Sequence, residues 1–107
     1  MLLKKYKLMN WSKNSENYPA CIELFDKFIH VNKILPSKRR YLYDFFDNYN
    51  LFIEIRKETD KCRYIVNGQN IMIYGQCVHN CRRDAEDAAF TKCFEIMENK
   101  LQQQINK

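Results

Sequence analysis

The apolar positions of this chain keep one period, change to another and then return to the first. From Pro19 onward, Cys21, Leu24, Phe25 and Phe28 fall on one side of a helix, while Glu23, Asp26, Lys27 and His30 fall on the other. Proline suits the first helical position, where its missing N–H would be unpaired in any case. The pattern fades near Val31 and Asn32, and Pro36 marks the break. Pro36 or Ser37 opens a second helix, with Leu42, Phe45, Phe46 and Tyr49 at the i, i+3, i+4, i+7 spacing and Asn48 to Asn50 at its end. The period then becomes two. Leu51, Ile53 and Ile55 alternate with Phe52, Glu54 and Arg56; Cys62, Tyr64 and Val66 alternate with Arg63 and Ile65; Ile71 and Ile73 alternate with Met72 and Tyr74. Glu58 to Lys61 predicts the first turn and Asn67-Gly68 the second. Connections this short predict an antiparallel meander of three strands.

Asn80 to Leu101 returns to the helical period and is the clearest element. Ala85, Ala89, Cys93 and Ile96 form one row, and Phe90, Phe94, Met97 and Leu101 form a second beside it. The two rows span about half the circumference, wider than the ~100° stripe of a helix lying on one surface. Such a helix is expected to meet both a sheet and another helix. Asp84, Glu86 and Asp87 agree with the dipole at its N-terminal end, and Arg82 and Arg83 oppose it.

The pattern predicts an α+β fold in the order α-αβββα, with helices on one face of a three-stranded antiparallel sheet. Residues 1–17 read as an N-terminal arm anchored by Trp11, 18–35 as an extra helix, 36–101 as the core and 102–107 as a frayed tail, in one domain overall. A chain of 107 residues buries roughly two-thirds of its unfolded surface, enough for one core. Lys and Arg exceed Asp and Glu by 18 to 13, which permits a polyanionic partner without demanding one. Lys38, Arg39 and Arg40 crowd the start of the second helix as Arg82 and Arg83 crowd the start of the last. The five cysteines are odd in number, and two of them, Cys21 and Cys93, occupy apolar helix positions. With no leader pattern and no apolar run of membrane-spanning length, the reading is a cytoplasmic protein with reduced thiols.

From Pro36 onward, the order of elements resembles the double-stranded RNA-binding domain. Family members begin the last helix with Ser-Lys-Lys-x-Ala-Lys and an alanine-rich run. This chain has Cys81-Arg82-Arg83-Asp84-Ala85-Glu86 and then Ala88-Ala89. The resemblance covers about two-thirds of the chain. It implies contact with double-stranded or structured RNA through Arg82 and Arg83, to which Lys38, Arg39 and Arg40 add if their helix lies alongside. A-form RNA is read by shape and by its phosphates, which suits cations at a helix N-terminus. Three departures from the family pattern stand out. Glu86 occupies the third basic position, Cys81 replaces the serine, and Glu58-Thr59-Asp60-Lys61 replaces the family's Gly-Pro-x-His loop. A second reading pairs Arg82 and Arg83 with Asp84, Glu86 and Asp87.

Other chemistry is sparse. Cys77, His79 and Cys81 offer three soft ligands in five residues, and Cys62 is a candidate fourth. The spacing lacks the paired Cys-x-x-Cys pattern of zinc sites, so no metal and no cofactor is expected. Two histidines, two glycines and carboxylates at exposed helical spacing build neither a nucleophile–base pair nor a phosphate loop. The expectation is a non-enzymatic binding module. Its ligand is structured RNA, or alternatively a protein or a second copy held through the outer sheet face of Phe52, Glu54, Arg56, Arg63 and Ile65, with Met72 and Tyr74.

Overall fold

The computed structural model describes residues 17–32 and 40–105. The chain orders as α1 (Pro19–Asn32), α2 (Arg40–Asp47), β1 (Phe52–Glu58), β2 (Lys61–Gly68), β3 (Ile71–Tyr74) and α3 (Arg82–Ile105), an α+β arrangement with one antiparallel sheet in the order β1-β2-β3. Two compact units divide it, Met1–Phe45 with Phe94–Lys107 and Phe46–Cys93, so that α2 and α3 each contribute to both. The starts expected for the second helix at Pro36 or Ser37, and the arm with Trp11, lie outside the described residues.

In the first unit, α1 opens where the Tyr18 carbonyl accepts the Ile22 N–H at 3.0 Å, with Pro19 as the first helical residue. Tyr18 has no side-chain acceptor placed to cap the free N–H groups of the first turn. The Glu98 carboxylate of α3 does so instead, its Oε1 accepting the Cys21 N–H at 2.9 Å. Glu98 is buried, and its other oxygen accepts Gln102 Nε2 at 2.6 Å. That (i, i+4) bond lies in a helix that continues to Ile105, where a frayed tail from 102 was expected. The buried stripe of α1 is Cys21, Ile22, Phe25 and Ile29, rotated from the predicted one, with Leu24 and Phe28 half-buried. Phe25 and Phe28 both meet the Phe45 ring edge-on, at centroid distances of 5.1 and 5.5 Å, and Tyr18 stacks on Phe94 at 6.2 Å.

In the second unit, α2 ends in a Schellman turn. Asn50 is left-handed at φ 61°, its N–H reaches the Asp47 carbonyl at 3.0 Å, and the Leu51 N–H reaches the Phe46 carbonyl at 3.0 Å. Leu51 is fully buried and precedes β1 rather than belonging to it. The first hairpin turns at Thr59 and Asp60, as predicted. The second turns at Gln69 and Asn70, both left-handed at φ 50° and 66°, and not at Asn67-Gly68. The longer hairpin sets Val66 opposite Ile73 and Ile65 opposite Tyr74. A turn at Asn67-Gly68 would set Val66 opposite Gln69 and lose an aliphatic pair. Gly68, at φ 128°, serves a close approach instead, since a Cβ there would overlap the Asn50 carbonyl oxygen. The Gln69 amide also donates to the Tyr49 carbonyl, so the hairpin end docks on the α2 cap.

The strand register separates the two faces of the sheet. Ile53, Ile55 and Lys57 share one with Val66, Tyr64 and Cys62; Phe52, Glu54 and Arg56 share the other with Asn67, Ile65 and Arg63. The start of α3 lies on the first face, where Cys81 and Arg82 line a cleft with Ile55 and Cys62. Phe46, Leu51, Val66, Ala85, Ala89, Phe90 and Cys93 are fully buried in this unit, and Phe46 stacks on Phe90 at 6.3 Å. The small residues early in α3 permit close approach, and the phenylalanines fill the space further on, as the order of residue sizes predicts. No helix among the described residues is long and apolar enough to cross a membrane.

Candidate functional site

The segment that leads into α3 is held against β2 by backbone bonds. After β3 the chain continues alongside β2, with the Gly75 N–H on the Tyr64 carbonyl at 2.8 Å. Cys62 and His79 then exchange N–H···O bonds of 2.8 and 3.3 Å, shortly before the helix. The Lys61 ammonium donates to the Asn80 side-chain oxygen. These bonds bring the first hairpin to the start of the helix. Lys57 and Arg82 line one open cleft of about 410 Å³ with Ile55, Cys62, Asn80 and Cys81.

Arg82 and Arg83 are both exposed. The Arg82 Nε lies 3.7 Å from Glu86 Oε2, one helical turn on, which is the second reading of the sequence realised for that residue. The Arg82 side chain remains 67% exposed, whereas that of Glu86 is 13% exposed. Arg83 has no ion-pair partner among the described residues. The helix supplies first-turn N–H groups that lack intrahelical acceptors, although the Ala85 N–H already reaches the Cys81 carbonyl at 3.3 Å. Glu58, Asp60 and Asp84 in the same elements offset part of the positive charge.

The other predicted positions are dispersed. Lys38 and Arg39 lie outside the described residues. Arg40 begins α2 in the first unit, exposed, with its guanidinium carbon 5.2 Å from the Tyr41 ring centre. A hydrogen bond to the Tyr41 hydroxyl raises its pKa above the usual arginine value. Among the metal candidates, Cys62 is buried, Cys81 is exposed, and Cys77 points its thiol at the Glu58 carbonyl at 3.9 Å. Among the described residues, no three His, Cys, Asp or Glu side chains gather where they would hold a metal ion.

The outer sheet face has the composition the alternation predicts. The register adds Met72, opposite Asn67, and Tyr74, opposite Ile65. Ile65 is buried at the centre, while Phe52, Met72 and Tyr74 remain 48, 52 and 59% exposed around it. Arg56 donates from Nε and Nη2 to Glu54 at 3.1 and 2.8 Å, and Arg63 Nε lies 3.2 Å from Glu58. Lys57 and Lys61 were absent from the sequence-derived site. The alternation that puts Ile53 and Ile55 on the inner face also puts Lys57 there. Its nearness to Arg82 rests on the Cys62–His79 bridge, which no local pattern announces.

Comparison with family models, with curated proteins and with solved structures returns no match for this chain.

Proposed function

We propose that this chain is a small, non-enzymatic, cytoplasmic binding module that takes structured RNA at the start of α3. The observation that carries the reading is the shared cleft of Lys57 and Arg82, whose lining residue Asn80 accepts a hydrogen bond from Lys61. Several cations converging on one surface are what phosphate contact needs, because non-specific affinity accumulates over contacts made together. The resemblance to the double-stranded RNA-binding domain supports the same end of the same helix. A duplex suits the site better than a single strand, since among the described residues no aromatic lines the cleft to stack a base. The outer sheet face favours a second reading, a protein-interaction module, through the exposed rings and thioether around Ile65.

The test is a titration of a labelled RNA duplex, a DNA duplex and a single strand at two salt concentrations. Duplex RNA is expected to bind, more weakly as salt rises. Arg82→Ala with Arg83→Ala should lower the salt dependence by about two counterions. Lys57→Ala with Lys61→Ala should act in the same direction. No binding to any of the three at low salt eliminates the RNA reading and leaves the protein-interaction one.

A further inference from the structure

β1 is an edge strand. No strand among the described residues pairs with the side of it that faces away from β2. The two hairpins determine which backbone groups point there. Glu58↔Lys61 and Gly68↔Ile71 close two-residue turns and are therefore hydrogen-bonded pairs, and bonding alternates along each ladder. The Gly75–Tyr64 bond and the Cys62–His79 bridge obey the same alternation on the far side of β2. Phe52, Glu54, Arg56 and Glu58 thus spend their backbone groups on β2, while Ile53, Ile55 and Lys57 direct theirs to the open edge.

We propose that β1 pairs antiparallel with β1 of a second copy of this chain, about a two-fold axis through Ile55, making one six-stranded sheet. The two-fold then falls on a hydrogen-bonding residue. The pairs Ile53–Lys57, Ile55–Ile55 and Lys57–Ile53 carry the backbone bonds. The positions between them are non-hydrogen-bonded, where side chains approach closest. There Glu54 of each copy faces Arg56 of the other. No like charges oppose each other in this register. Moving the axis to Glu54 sets that carboxylate against itself, and moving it to Arg56 sets Arg56 against itself and Glu54 against Glu58. A shift of one residue would join the inner face of one copy to the outer face of the other. The strand is therefore charge-complementary to itself in this register, and parity permits it.

Ile55 supplies a second argument. It is half-buried and lines the open cleft, an apolar side chain with water on one side. Its counterpart across the axis would cover it. Lys57, commonly a guard against edge pairing, lies opposite Ile53 here, with its ammonium on a long stem that reaches solvent.

Sedimentation equilibrium of the full chain over a range of concentrations tests the proposal, with circular dichroism confirming that each variant folds. The wild type is expected to dimerise. Glu54→Lys and Arg56→Glu, each alone, replace two attractive cross-axis pairs by two repulsive ones and should weaken the dimer at least about tenfold. An equimolar mixture of the two variants restores opposite charges at both positions and should dimerise as a heterodimer. The double variant should dimerise with itself. A wild type that stays monomeric overturns the proposal. So does a dimer that either single variant leaves intact, or a mixture that does not pair. The charge swaps alter none of Lys57, Lys61, Arg82 and Arg83, so sedimentation without RNA reads the dimer whether or not the RNA reading holds.

Discussion

The Glu98 carboxylate accepts the backbone N–H of Cys21 at 2.9 Å, across 77 positions of sequence. A side chain near the end of the chain thereby caps the helix near its beginning, and a buried acid finds its reason in an orphan donor. Glu98→Ala should destabilise the protein by about 1–3 kcal/mol, since the buried Cys21 N–H and the half-buried Gln102 amide both lose their acceptor. Glu98→Gln keeps one acceptor and should cost less. Urea unfolding at constant slope distinguishes the two, and an unchanged midpoint for Glu98→Ala would show that the cap contributes nothing.

Gly68→Ala should be among the most damaging small substitutions. Its φ of 128° is a glycine conformation, and the new methyl would overlap the Asn50 carbonyl, which is backbone and cannot swing aside. A loss of about 2–4 kcal/mol is expected. At Gly75 the methyl would meet the Tyr64 ring, so Gly75→Ala should be eased by Tyr64→Ala while Gly68→Ala should not. Paired denaturation curves for the single and double variants read this directly.

Asn70→Gly should raise stability by roughly 0.5 kcal/mol. The residue stands at the second central position of a turn whose two middle residues are left-handed, where glycine fits without strain. The same change at Asn67, which the sequence marks as the turn but which lies within β2, should lower stability. Thermal midpoints of the two variants should therefore move in opposite directions.

The thiols should separate by accessibility. Alkylation of the native protein at neutral pH, read by mass spectrometry, should label Cys81 first, Cys77 more slowly, and Cys21, Cys62 and Cys93 only on unfolding.

Cys93 also carries a pH dependence. Burial pushes its thiol up from 9.0 to about 12. Above about 9 the unfolded chain releases this proton and the folded chain retains it. The stabilisation is therefore complete below that value and falls as pH rises towards 12, at up to about 1.4 kcal/mol per unit. Cys93→Ala should flatten stability against pH between about 9 and 11 relative to wild type, and identical slopes would contradict the assignment.

Periodicity alone located the helices, because residues that must leave water together recur at the helical step. It named Leu42, Phe45 and Phe46, and most of the buried arc of α3. It did less well where two patterns agree nearly equally. On α1, Leu24 and Phe28 match the helical step as well as Ile22 and Ile29 do, and the neighbours packed against α1 decide which pair is buried. Asn67-Gly68 is a good turn dipeptide, but the hairpin turns two residues later because the Val66–Ile73 pair and the Asn50 contact outweigh local propensity.

The sequence by itself determined the α+β class, the order of the elements and the two faces of each strand, since these depend on residues adjacent in the chain. Only the tertiary structure decided that Glu98 caps α1, that Gly68 is needed against Asn50, and that Lys57 shares a cleft with Arg82. Each of those couples positions far apart in sequence through a backbone donor, a backbone oxygen or a strand bridge. Backbone groups are the same at every residue, so composition and spacing carry no trace of which one will be met.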